Sequence, residues 1–161
     1  MLHAVSTRLG GFSEAPYETL NLGGGVKDDP SRVRHNRETF LKAIGHTPES
    51  VVGVRQVHGK RVVVARRTDA NWDEIPAAER AAEADGLVTS ERGVALTVVA
   101  ADCVPILLWD PAKRVVGAAH AGWRGTVAGI VGEAVRGMVE AFESRPSDIR
   151  AGVGPGIGPC C

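Results

Sequence analysis

The chain has 161 residues, 43% hydrophobic and 24% charged, and its 19 basic and 19 acidic side chains cancel. That length gives one domain with a real core, and the charge balance excludes the basic field that non-specific nucleic-acid or acidic-membrane binding needs. Aromatic residues at 4% are too sparse for a base-stacking surface.

No apolar run reaches transmembrane length and Met1-Leu2-His3-Ala4 lacks a signal-peptide apolar region, so no membrane partner and a cytoplasmic setting are expected. The first elements are irregular. Ser6-Thr7-Arg8-Leu9-Gly10-Gly11-Phe12-Ser13 is a polar loop, and Leu20-Asn21-Leu22-Gly23-Gly24-Gly25 continues in glycine-rich backbone. Arg8 and Asn21 are candidates to reach a ligand from these loops. Asp29 and Pro30 are the N-cap and first position of a helix whose buried face is Val33, Phe40, Leu41 and Ile44, with Gly45 as its stop. Asn36 and Arg37, near that face, read as hydrogen-bonding anchors for the glycine loops rather than catalytic groups.

Two β-rich runs, Val51-Val52-Gly53-Val54 and Arg61-Val62-Val63-Val64-Ala65, flank Gln56-Val57-His58-Gly59. Residues 66–84 are charged and alanine-rich, and 73–80 suggest a surface loop with a short helix. Strands follow at residues 85–89 and 94–99, around a turn at Ser90-Glu91-Arg92-Gly93, and then at 106–109 and 115–119. These runs are nearly all apolar, as in strands covered on both faces. The spacing of Val127, Ile130, Val131, Ala134, Val135, Met138 and Phe142 predicts one long helix from Thr126. Arg124 would stand at its N-terminus, either as a contact for a phosphate or carboxylate or simply stacked on Trp123. Arg150-Ala151-Gly152-Val153 reads as a last strand. The following Gly154-Pro155-Gly156-Ile157-Gly158-Pro159 is no phosphate loop, since it lacks the Gly-Lys-Ser/Thr ending and its prolines remove N–H donors.

The two arms around Asp110-Pro111-Ala112-Lys113 hold the chemistry. A tight hairpin closed by Asp110 and Lys113 places Cys103 directly opposite His120, where paired Cβ atoms lie ~4.5–5.5 Å apart. A shift of one residue at Pro105 or a bulge would send the two side chains to opposite faces. A thiol and an imidazole so placed suit a nucleophile–base pair or, with His58 as third ligand, a zinc site with an open fourth position. Asp102 is a weaker candidate to orient a histidine, since as Cys103's strand neighbour it should face away. A buried inert cysteine with two satisfied histidines is the third reading. The three cysteines, two of them adjacent at Cys160 and Cys161, form no disulfide framework.

In this order the blocks Ser6-Thr7-Arg8-Leu9-Gly10-Gly11-Phe12-Ser13, Gln56-Val57-His58-Gly59, Ala84-Asp85, Ala101-Asp102-Cys103-Val104-Pro105, His120-Ala121-Gly122-Trp123-Arg124-Gly125 and Gly154-Pro155-Gly156-Ile157-Gly158-Pro159-Cys160-Cys161 resemble the YfiH/laccase-domain family, whose members carry the older label of polyphenol oxidase. The resemblance implies an α+β fold of layered mixed β-sheets flanked by helices, an α/β/β/α sandwich spanning residues 1–161 as a single domain. Family members usually run on past the Gly-Pro-Cys-Cys block, so a fold incomplete at its C-terminal end is expected. The implied function is zinc-dependent chemistry on purine nucleosides: phosphorolysis of adenosine, inosine, guanosine and methylthioadenosine, and deamination of adenosine. The implied metal ligands are His58, Cys103 and His120, with copper as the alternative metal, and Arg124 assists by holding the anion. Arg8, Asn21, Gln56 and Arg124 make up the expected substrate contacts. A multicopper mechanism needs many more ligands than five histidines and three cysteines supply. A Cys103–His120 amide hydrolase, of the kind that edits peptidoglycan, is the second expectation, and a catalytically silent binding domain the third.

Overall fold

Successive residues of a strand face opposite sides, and this chain uses that alternation to join four layers. The structure is a computed structural model that describes residues 1–72 and 82–159. A five-stranded sheet has the order β2 (Val62–Val64), β3 (Gly86–Thr89), β6 (Val115–Ala121), β5 (Val104–Asp110), β7 (Arg150–Val153). Its β2–β3 pair is parallel and the other pairs are antiparallel. A smaller sheet pairs β1 (Val51–Val52) in parallel with β4 (Ala95–Leu96).

Each interface between layers has its own apolar cluster. Val88 of β3, with Leu108 and Ala119, packs on Ile130, Ala134 and Met138 of helix α3 (Ile130–Phe142). The neighbouring Leu87 faces the other way and packs with Val52, Val94 and Leu96 of the small-sheet region. Val51, next to Val52, again faces outward and meets Leu41 of helix α1 (Pro30–Ala43), Trp72 and Ala95. The stack is therefore α3, large sheet, small sheet, α1: the expected α+β sandwich.

Helix α1 begins and ends where its local chemistry requires. The Asp29 carboxylate accepts from the Ser31 backbone N–H at 2.7 Å and Pro30 fills the first helical position. At the other end Gly45 takes φ +71°, and the N–H groups of Gly45 and His46 donate to the carbonyls of Lys42 and Leu41. This paired closure needs the left-handed residue that glycine supplies without a Cβ penalty. Asn36 and Arg37 are both buried and act as expected on the glycine loops. The Asn36 amide oxygen accepts from Phe12 N, and its NH2 donates to Ser13 Oγ, Thr19 O and Asn21 O. Arg37 donates to Leu22 O and Trp72 O and lies over the Trp72 ring.

Two expectations are corrected. The hairpin closes at Asp110 and Val115, not at Asp110 and Lys113, so His120 stands opposite Pro105 rather than Cys103. The four-residue loop is fixed by Asp110, whose Oδ1 accepts from Ala112 N and Lys113 N, and by Arg114 at φ +58°. The predicted long helix starts at Trp123, three residues early, and breaks at Gly129 (φ +84°) into α2 (Trp123–Ala128) and α3. Val127, assigned to the buried face, is 84% exposed as a result. The strands expected either side of Ser90-Glu91-Arg92-Gly93 are both present, β3 in the large sheet and β4 in the small one. The short helix expected at 73–80 lies outside the described residues, as do Cys160 and Cys161. Among the described residues no helix is long and apolar enough to cross a membrane.

Candidate metal centre

The residue just before β3 organises the site. Asp85 is fully buried, and its two carboxylate oxygens are taken by N–H donors. Oδ2 accepts from Gly59 N at 2.6 Å and Val57 N at 3.2 Å, while Oδ1 accepts from His58 N at 2.9 Å. Three successive amides thus wrap one carboxylate, and His58 at the middle of the turn adopts φ +60°, a conformation uncommon for a residue with a Cβ. Oδ1 also meets His120 Nδ1 at 2.9 Å. Because backbone amides already surround the carboxylate as donors, the ring nitrogen facing it carries the hydrogen, which leaves the Nε2 lone pair of His120 pointing the other way. The His120 backbone N–H is fixed in turn on Asp85 O at 2.7 Å.

Cys103 reaches the same place from the start of β5. Although the register is two residues from the expected one, a shift of two preserves which face a side chain uses, and Cys103 and His120 still converge. The ligand atoms of His58, Cys103 and His120 all lie within 4.8 Å of one another. The two imidazoles meet edge to face, centroids 4.8 Å apart. His58 is exposed, Cys103 half-buried and His120 buried, so the cluster is open on one side.

The backbone around the cluster is tied down. Gln56 accepts from Val99 N at 2.7 Å and donates to Val99 O at 2.8 Å, fastening the His58 loop to the segment that leads into Cys103. On the other side Gly154 N donates to Pro105 O and Ile157 N to Asp102 O, so residues 154–157 strap the entry of β5. Two glycines of His120-Ala121-Gly122-Trp123-Arg124-Gly125 allow the close approach. A Cβ on Gly125 would lie 2.7 Å from Gly59 O. A Cβ on Gly122 would lie 3.0 Å from His58 Cδ2, 3.1 Å from Cys103 Sγ and 3.8 Å from His120 Cε1. Gly122 therefore keeps clear the space between the three ligands.

That donor set fits a metal ion. Tetrahedral zinc with bonds of ~2.0–2.3 Å holds its N and S donors ~3.3–3.8 Å apart, so the cluster stands about an ångström from closure at its widest. It is the one group of three His, Cys or acidic donors so gathered among the described residues. One trio suits a single ion rather than a multicopper array.

The remaining expected contacts are engaged elsewhere. Arg124, in the first turn of α2, is exposed and stacks over Trp123 at 5.2 Å, the second of its two readings. Arg8 donates to Glu18 O and faces the Glu18 carboxylate. The Asn21 side chain donates to Asp28 and accepts from Gly23 N. Gln56 spends both polar atoms of its amide on Val99. Asp102, weighed as an orienting carboxylate, is exposed, and Asp85 holds that position instead. The signal for Asp85 was the Ala84-Asp85 block, which gives no partner by spacing because its contacts lie 26–35 residues away.

A family model described as "Multi-copper polyphenol oxidoreductase laccase" matches residues 2–161. "Purine nucleoside phosphorylase ORF3" of Streptomyces griseus is 49% identical over 157 residues, 96% of this chain and 60% of the relative. "Purine nucleoside phosphorylase YfiH" of Escherichia coli K12 is 38% identical, over 96% of this chain and 58% of its own length. The crystal structure of YlmD from Geobacillus stearothermophilus superposes with a TM-score of 0.90 at 40% identity, covering 97% of this chain and 58% of that one. The chain thus spans about three-fifths of the length of these relatives.

Proposed function

The chain belongs to the YfiH-like laccase-domain family, and from that premise we propose that its His58–Cys103–His120 centre serves a zinc-dependent enzyme acting on purine nucleosides. The observation that carries the reading is the convergence of those three donors around the gap left by Gly122. The name purine nucleoside phosphorylase borne by the relatives supports the substrate class.

When bound, zinc supplies Lewis acidity and acidifies water toward neutrality. The protein's own part is positional. Asp85 holds the Nδ1 hydrogen of His120 and so directs Nε2 at the centre, and the loop it anchors presents His58 from the open side. Arg124, exposed in the first turn of α2 two residues after Gly122, supplies positive charge for phosphate by leaving its stack on Trp123. In phosphorolysis a phosphate oxygen bonds to the ribose anomeric carbon as the bond to the purine nitrogen breaks, and the leaving base takes a proton. In deamination water adds to the purine amino carbon and ammonia leaves.

One observation favours a second reading. Cys103, His120 and Asp85 form a thiol–imidazole–carboxylate series, the arrangement of a cysteine hydrolase. Such a dyad has no use for His58, which is why the metal reading is preferred.

The test is product analysis with zinc-loaded protein. Adenosine with phosphate should give adenine and ribose-1-phosphate, and without phosphate should give inosine. Failure to turn over adenosine, inosine, guanosine or methylthioadenosine contradicts the proposal. Metal-free protein that cleaves amides and whose Cys103 alkylates readily supports the hydrolase instead.

A further inference from the structure

We infer that Asp85 is a positioning residue that holds both histidines of the centre through one buried carboxylate, so that the two ligands are set or lost together. The inference rests on the metal reading of the site and concerns how this chain prepares it. His58 and His120 lie on separate parts of the chain, one in the loop before β2 and one at the end of β6. No direct hydrogen bond joins them among the described residues. Their common partner is Asp85, which fixes His120 by its ring nitrogen and His58 by its backbone N–H, through the same oxygen at 2.9 Å each. The other oxygen secures the amides on either side of His58.

The two holds differ in kind. At His120 the carboxylate selects the tautomer and ring orientation, as outer partners of metal-ligating histidines do. At His58 it selects backbone conformation: three N–H groups aimed at one anion make a concave cradle, and that cradle stabilises φ +60° at a non-glycine residue. Aspartate is the side chain that meets both demands. An asparagine of the same shape has one acceptor oxygen, and its NH2 would face N–H donors on the other side. A glutamate reaches one methylene too far in a site with no exposed surface.

Wild-type protein, Asp85→Asn and Cys103→Ser are compared by zinc competition against a chelator, and by the visible spectrum after cobalt loading. ¹⁵N NMR of the zinc-free proteins reads the histidine tautomers. Outer partners of this kind carry ~10–100-fold in metal affinity. Asp85→Asn should lose that much zinc affinity, show an altered cobalt spectrum, and release His120 from the Nδ1–H tautomer expected in wild type. It should also speed hydrogen exchange at Val57, His58 and Gly59 together. Zinc affinity and tautomer unchanged in Asp85→Asn overturn the inference. Zinc binding by wild type that is absent, or unaffected in Cys103→Ser, defeats the metal reading, and the tautomer then decides the role of Asp85. Should Asp85→Asn not fold, wild-type His120 found as the Nε2–H tautomer overturns the inference by itself.

Discussion

Two buried polar side chains, Asn36 and Asp85, do comparable work at two places in the molecule, and the difference between them separates scaffold from centre. Each is fully buried on or beside a regular element and gathers a loop by its backbone. Asn36 is an amide, donor and acceptor at once, and it closes its network completely on the N-terminal loops. Asp85 accepts only, so its surroundings must be donors. One of those donors is an imidazole whose second nitrogen is left over. The closed network is structural; the open one delivers a lone pair to a place where a metal can use it. A buried polar group with unspent capacity passed to a neighbour is the stronger mark of function.

The contrast predicts that damage on the two sides will read out differently. The largest effect is expected from Cys103→Ala, which removes one of three ligands: zinc binding should fall by more than the ~10–100-fold that outer partners carry, with little change in the thermal stability of the zinc-free protein. Gly122→Ala comes next. The backbone there has φ −72° and tolerates a side chain, so the methyl acts only by entering the ligand space. Isothermal titration should show weakened zinc binding in a protein whose circular dichroism is unchanged. Equal affinity would mean that the ion does not sit between the three ligands.

Asn36→Ala should do the reverse. It strands the Phe12 N–H and the Asn21 carbonyl, and denaturant unfolding should report a loss of about 2–4 kcal/mol with zinc affinity retained by the folded fraction. Arg124→Ala should leave stability within ~0.5 kcal/mol, since the side chain is exposed. It should raise KM for phosphate several-fold while KM for nucleoside holds. An unchanged phosphate KM would remove Arg124 from the site.

The smallest effect belongs to the helix cap. The Ser31 hydroxyl and backbone N–H hold the Asp29 carboxyl below its ordinary value of about 3.8. Its folded value is depressed, so its stabilisation is present above that pH and disappears as pH falls through the lowered value. Unfolding measurements on Asp29→Asn should lack this pH-dependent component, so the variant falls slightly below wild type at neutral pH and converges with it in acid.

What could be read in the sequence follows the range of each interaction. The cap, the glycine stop and the apolar face of α1 depend on neighbours within a few residues, and they were readable. So were the loop-anchoring roles of Asn36 and Arg37 and the locations of the strands. The hairpin register was missed by two because Asp110 takes the amides of Ala112 and Lys113 into a four-residue loop, a choice the composition of the turn does not dictate. The even size of that slip kept Cys103 and His120 on converging faces. The helix break turns on Gly129 at positive φ, where a helical spacing continues through the break without notice. Asp85 was hidden for a deeper reason: its partners come from a loop and a strand that only the folded sheet brings to it.

The central claim is that His58, Cys103 and His120 bind one metal ion. Metal analysis of the purified, zinc-equilibrated protein beside Cys103→Ala tests it most directly. The account predicts about one zinc per chain in the wild type and essentially none in the variant. A wild type that retains no zinc, or a variant that retains as much, would contradict it.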